Sequence, residues 1–206
     1  MLLQLTSQEL AQKYNRFARW YDWVEGIPDL LWVRRLRRKV LQRASGKVLE
    51  IAVGTGKNSR YYPRGSRIVA VDVSREMLDI ARRRATKLSM DVSFVLADAA
   101  ALPFPDQKFG TVVSTLTTCT FPEPVAALRE MWRVCRPDGR ILLVEHGRSD
   151  RKWLGRWQDR RAERHARQLA CHWNREPLEL VQEAGFNVAS ARRTFFGIFH
   201  EIEATP

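Results

Sequence analysis

The sequence predicts an α/β fold, a doubly wound, Rossmann-like seven-stranded sheet with an antiparallel C-terminal hairpin and an N-terminal helical lid. Three observations carry this prediction. From residue 47 onward, short β-branched runs alternate with apolar residues at helical spacing; parallel strands need such crossovers, and each crossover helix buries one face of the sheet. The first run ends in a glycine-containing turn, Gly54-Thr55-Gly56. The last two β-rich runs, 186–194 and 196–203, are separated by Phe195, which is too short a link for a crossover helix, so they should pair antiparallel at one edge.

Taken in order, Leu10, Tyr14, Phe17, Tyr21 and Val24 recur every three or four residues and form a helical stripe that Gly26 ends. Pro28 opens a second helix, with Leu30, Val33, Leu36 and Val40 inside and Arg34, Arg35, Arg37, Arg38 and Lys39 on its other faces. Ser45-Gly46 stops it. Strands follow at Val48–Val53 and Ile68–Val73, then a helix capped by Ser74, then strands at Val92–Leu96 and Thr111–Thr115. A helix through Val125, Leu128, Met131 and Trp132 leads to the strand Ile141–Glu145, a basic helical stretch around 150–170, and a short helix from Pro177 to Ala184. The expected organisation is a lid over 1–46 and one globular unit over 47–206, with a basic helical insert at about 148–172.

Composition bounds the function. With 206 residues, 45% of them hydrophobic and 28% charged, the chain can bury a full core and falls outside the disordered and collagen-like classes. A formal charge of +12 favours contact with nucleic acid, an acidic ligand or a phospholipid surface. Cys119, Cys135 and Cys171 lack Cys-x-x-Cys spacing and the four histidines lack His-x-x-x-His pairing, so neither a disulfide framework nor a metal site is expected. The first residues lack the early positive charge of a secretory leader, and no apolar run reaches spanning length. The expectation is a cytoplasmic protein, either free or peripheral on the inner face of a membrane.

The Gly54-Thr55-Gly56 turn lets backbone approach a ligand at the end of the first strand. Asp72 ends the second strand about 20 residues after Glu50, where a carboxylate can accept from both ribose hydroxyls. Asp98-Ala99 follows the third strand, where a purine amino group can be read. Ser59 stands where a dinucleotide turn needs Gly or Ala, which favours an uncharged nucleoside linkage over a pyrophosphate.

These residues resemble those of class I S-adenosylmethionine-dependent methyltransferases. The segments that carry the resemblance are EIAVGTG (50–56), AVDVS (70–74), DAAALPFPDQKFG (98–110), REMWRVCRPDGRILLVEH (129–146) and LVQEAGF (180–186). LPFPDQKFG is similar to the signature of ubiquinone/menaquinone biosynthesis methyltransferases. The resemblance implies S-adenosylmethionine as cofactor, S-adenosylhomocysteine as product, and a cofactor-binding set of Glu50, Ala52, Gly54, Thr55, Gly56, Asp72, Val73, Met77, Asp98, Ala99 and Thr115. Ala52 to Gly56 would lie along the methionine part, Asp72 on the ribose, and Asp98 with Ala99 on the adenine. Ala52 departs from the usual Gly, as do Gly110 and Asp138 from their family positions.

In this fold the acceptor lies beyond the carboxyl ends of the strands. The segment YNRFARWYDWVEG (14–26) resembles the lid of bacterial phosphatidylethanolamine N-methyltransferases, which implies roles for Tyr14 and Tyr21, while Phe17 reads as core. His146, after the fifth strand, is the candidate base; Trp20, Thr118, Glu145 and Trp153 are the expected acceptor contacts. Cys119 has no activating partner visible in the sequence. The basic residues of 34–39 and 148–167, the latter interleaved with Trp153 and Trp157, suit anionic lipid at about 1 kcal/mol per residue near a surface, or nucleic acid through phosphate contacts. No nucleic-acid recognition module accompanies them, which ranks that partner lower. CHWNREPLELVQEAGF is similar to membrane-associated animal thiol methyltransferases. The expectation is methyl transfer to a hydrophobic or lipid-linked acceptor, with phosphatidylethanolamine N-methylation favoured. Thiol S-methylation, quinone-precursor C-methylation, or non-catalytic binding of cofactor or RNA stand as alternatives.

Overall fold

Strand alternation divides the core in two. Leu49, Ile51, Val112, Ile141 and Leu143 point to one side of the sheet, while Val48, Ile68, Ala70, Val113 and Leu142 point to the other, and all are buried. Such strands must be covered on both faces. The computed structural model, which describes residues 5–24 and 33–206, shows the cover. Helices α1 (Ser7–Val24) and α2 (Arg34–Leu41) precede the sheet. Strand β1 (Lys47–Ile51) is followed by a 3-10 turn at Ser59–Tyr61, β2 (Arg67–Asp72), α3 (Arg75–Lys87), β3 (Val92–Leu96) and β4 (Phe109–Thr115). Then come α4 (Pro124–Val134), β5 (Cys135–His146), α5 (Lys152–Leu169), α6 (Pro177–Glu183), β6 (Asn187–Thr194) and β7 (Phe199–Thr205). Leu41 of α2 with Leu78 and Ala81 of α3 seal one face; Leu128 and Met131 of α4 with Val181 of α6 seal the other. Truncating a buried Leu or Met of this kind to Ala costs about 2–5 kcal/mol.

The seven strands lie in the order β3-β2-β1-β4-β5-β7-β6. The first five are parallel; β7 runs antiparallel between β5 and β6. The antiparallel hairpin is therefore present, with its second strand inside the sheet, where Ile202 and Ala204 join the core. Its connection spans residues 195–198, longer than Phe195 alone.

Element ends differ from the expectation where the backbone turns. β1 stops at Ile51 because Ala52 adopts a left-handed φ of 48°. β5 begins at Cys135, which pairs with Phe109 ahead of an irregularity between Phe109 and Thr111. Ser74 caps α3 as the sequence predicts, its Oγ accepting from the Met77 N–H at 3.2 Å. Gly26, Pro28 and Leu30 lie outside the described residues.

The parallel strands bring Ile51, Asp72, Leu96, Thr115 and His146 to one end of the sheet. Chain direction through the sheet reverses between β1 and β4, and a crevice opens there. Helix α1 crosses it. Asp22 accepts from Thr55 Oγ1 at 2.6 Å and pairs with Arg84 of α3; Ser74 Oγ donates to Asn15 Oδ1 at 2.6 Å. Among the described residues no helix is long and apolar enough to cross a membrane.

Candidate active site

Two adjoining cavities occupy the crevice and share Tyr14, Tyr21, Leu116 and Thr120 as walls. The first mixes polar and apolar walls and is built on the β1 and β2 ends. Gly54, with φ +55°, has nothing within 4 Å of where a Cβ would stand, whereas a Cβ at Gly56 would meet Ala81 at 3.2 Å. Gly54 thus faces the cavity, and Gly56 lets the loop sit against α3. The Asp72 carboxylate accepts from the Gly54 N–H at 2.7 Å and the Ser74 N–H at 2.9 Å. Burial pushes its carboxyl up to about 6, against the backbone donors that favour the ion. A carboxylate offers about four lone-pair positions, so room remains beside the backbone amides for a hydroxyl donor. Asp98 accepts from the Ala100 N–H at 2.9 Å and lines the cavity with Ala52, Thr55, Val73, Met77, Ala99 and Thr115.

Behind this cavity lies a polar cluster that the sequence did not reveal. Arg37 is only 6% exposed; its guanidinium donates to Asn58 Oδ1 and Thr115 Oγ1, both at 2.6 Å. The basic run on α2 is therefore divided, with Arg37 turned into the cavity wall rather than toward a membrane. Lys57 lines the same cavity, 5.3 Å over the Tyr21 ring. Glu50 accepts from Asn58 Nδ2 at 2.8 Å and from the Tyr62 hydroxyl at 2.9 Å, and burial raises its carboxyl to about 7. Glu50 and Gly56 support the loop from behind rather than lining the cavity.

The second cavity, about 380 Å³, is apolar. Leu154 and Trp157 of α5, Trp173, Ile198 and Phe199 form its walls. Trp157 and Trp173 have ring centroids 5.1 Å apart, and His165 stacks on Trp173 at 4.0 Å. Phe17, expected as core, lines this cavity, as does His146. His146 Nε2 lies 3.3 Å from Cys171 Sγ, and Cys119 is beside them. No local spacing could announce that cluster, since three distant segments supply it.

Four expected acceptor contacts lie elsewhere. Glu145 is fully buried, accepting from Ser114 Oγ at 2.8 Å, the Thr117 N–H at 2.8 Å and the Thr118 hydroxyl at 3.0 Å. It binds the turn after β4 to β5, so it and Thr118 sit beneath the cavity. Trp20 and Trp153, each 66% exposed, lie on the surface. The turn instead presents Leu116, held at a left-handed φ of 59°, to both cavities.

A cavity lined by strand-end carboxylates and loop backbone, opening into an aromatic one, suits a group-transfer enzyme. The methyltransferase domain family matches residues 49–143. Over 69% of its length the chain is 35% identical to a phosphatidylethanolamine N-methyltransferase of Cereibacter sphaeroides, covering 70% of that protein. It is also 35% identical to a demethylmenaquinone methyltransferase of Thermus thermophilus, over 66% of this chain and 62% of that one. A Thermotoga maritima S-adenosylmethionine-dependent methyltransferase superposes with a TM-score of 0.70 at 23% identity, covering 95% of this chain and 99% of that one. The chain spans about half to two thirds of the length of the first curated relatives it matches. The chain belongs to the methyltransferases.

Proposed function

We propose that the protein methylates a hydrophobic, lipid-like acceptor seated in the second cavity, with a phosphatidylethanolamine-type amine as the first candidate. The observation that carries this reading is the continuity of the two cavities through Tyr14, Tyr21, Leu116 and Thr120. The phosphatidylethanolamine-methylating relative supports the amine.

In this reading Asp72 accepts a ribose hydroxyl, Asp98 and Ala99 flank the adenine, and Val73, Met77 and Thr115 complete the wall. Gly54 and Thr55 lie along the methionine part, and Arg37 and Lys57 face its carboxylate. S-adenosylmethionine supplies a methyl group already made electrophilic by the sulfonium. The chain's own work is to hold an acceptor in line, exclude water and take a proton. Helix α1 acts as the lid, with Tyr14 and Tyr21 at the junction of the cavities, and His146 accepts the acceptor's proton. A quinone precursor is the second reading, because the Trp157–Trp173 wall suits a flat ring and the Thermus thermophilus relative is named for that chemistry.

Incubation with methyl-labelled S-adenosylmethionine and separate samples of phosphatidylethanolamine liposomes, a demethylated quinone and an alkyl thiol tests the reading. Label in methylated phospholipid is the expected result. Label in the quinone or in a thioether instead contradicts the amine and assigns the corresponding alternative. Exposed Trp20, Trp23 and Trp153, with Arg34, Arg35 and Arg38, would present the cavity to an anionic bilayer. Changing those three arginines to Glu is expected to abolish co-sedimentation with anionic liposomes; unchanged co-sedimentation removes the membrane role.

A further inference from the structure

We propose that Cys119, His146 and Cys171 form a three-ligand site for a thiophilic divalent cation of the zinc type, with its fourth coordination position open to the acceptor cavity. The inference goes beyond the methyl-transfer reading and does not depend on which acceptor is used; it gives His146 to the metal in place of the proton-accepting role the imidazole has in the metal-free protein.

The geometry is close to that of a metal centre. The two sulfurs and one imidazole nitrogen lie within 4.8 Å of one another, and Cys171 Sγ is 3.3 Å from His146 Nε2. In a tetrahedral zinc centre, bonds of about 2.3 Å to sulfur and 2.0–2.1 Å to nitrogen put neighbouring ligand atoms roughly 3.5–4 Å apart. Small side-chain adjustments therefore suffice. Two thiols and one imidazole are a ligand set that zinc uses in centres that keep one open position. Here His146 and both cysteines of the trio border the cavity, which gives the fourth position water or an acceptor heteroatom.

The three ligands are held by scaffolding that needs no metal. His146 is fixed by the β5–β7 ladder, where it pairs with Phe199. The segment after α5 is tied to the turn after β4: the His172 N–H donates to the Cys119 carbonyl at 2.8 Å, and the Arg175 guanidinium donates to the Thr118 and Phe121 carbonyls at 2.6 and 2.8 Å. In the metal-free protein a hydrogen bond with Cys171, together with burial, holds the Cys119 thiol well above its usual range. A divalent cation inverts that preference by taking the thiolate directly. Binding displaces two thiol protons to solvent, and the two thiolates neutralise the cation's charge. Arg175 lies within electrostatic reach of both sulfurs.

The test uses the full chain, reduced with a phosphine, freed of metal by chelator and dialysed against Zn²⁺ or Co²⁺. The expected result is one zinc per chain by elemental analysis, and a cobalt form with the sulfur-to-cobalt charge-transfer and visible bands of a four-coordinate site. Cys119→Ser and Cys171→Ser should each weaken zinc binding by more than the roughly 10- to 100-fold that loss of an outer-shell partner costs. Cys135→Ser, altered at a core cysteine outside the cluster, should bind as the parent does. Circular dichroism reports whether the serine variants are folded; if either is not, His146→Gln, at a partly exposed position, takes its place with the same expectation. Failure of the reduced chain to bind zinc, or zinc retained by a folded Cys119→Ser, Cys171→Ser double variant, overturns the proposal. So does a cobalt spectrum without a thiolate band.

Discussion

The two cavities are neighbours built on different principles. The first takes its polar groups from the ends of consecutive strands, so Gly54, Asp72 and Asp98 stand where chain and sheet geometry put them. The second takes its wall from α1, the turn after β4, α5, the segment around Trp173 and the β6–β7 connection. The difference separates a fixed task from a variable one. A constant cofactor suits groups anchored to strand ends, whereas acceptor choice can change through helices and loops that the sheet does not constrain.

The comparison can be broken most forcefully at Asp72. Asp72→Ala removes the acceptor proposed for a ribose hydroxyl; with a hydrogen bond to a charged group worth about 1.5–3 kcal/mol, S-adenosylmethionine should bind roughly ten- to a hundredfold more weakly by calorimetry. Acidity probes the same group without mutation. Its carboxyl, held at about 6 by burial, must be ionised to receive hydroxyl donors. Cofactor affinity should therefore be nearly full at about pH 7 and above, about half at pH 6, and fall by up to roughly tenfold per unit below that. An affinity flat from pH 7 to 5 contradicts that role.

Leu154→Asp carries the comparison to the other side. A carboxylate in the aromatic wall should raise the acceptor KM by about tenfold or more and leave cofactor affinity unchanged. A smaller effect belongs to the lid. Asp22→Ala removes the bonds to Thr55 and Arg84, which at a partly exposed site are worth about 0.5–1 kcal/mol, so the cofactor should dissociate a few-fold faster in stopped-flow measurements. The smallest effect is expected from Ala52→Gly. A left-handed conformation costs a non-glycine residue roughly 1–2 kcal/mol, and glycine gives back about 0.4–1 kcal/mol through the freer unfolded chain. The variant should melt at the parent's temperature or slightly above it.

The same contrast explains what the sequence made legible. Asp72 and Asp98 could be read because a strand's end and the turn after it are contiguous in the chain. Arg37 could not. Helical periodicity puts it among other arginines on a polar face, and only tertiary contact with Asn58 and Thr115, 21 and 78 residues away, turns it inward. Glu145 was misassigned for a related reason: position at a strand's carboxyl end predicts nearness to the crevice, while the hydrogen bonds that bury the side chain come from the turn after β4. The trio of Cys119, His146 and Cys171 joins three segments with no spacing signature, so cysteine arithmetic alone excluded what the fold brings together.

The central claim is that one cavity holds the cofactor and the other the acceptor. Titration of S-adenosylmethionine into the parent, Asp72→Ala and Leu154→Asp proteins tests it most directly. The account predicts equal binding by the parent and Leu154→Asp, with loss of roughly ten- to a hundredfold confined to Asp72→Ala. Parent-like binding by a folded Asp72→Ala, or loss confined to Leu154→Asp, would contradict it.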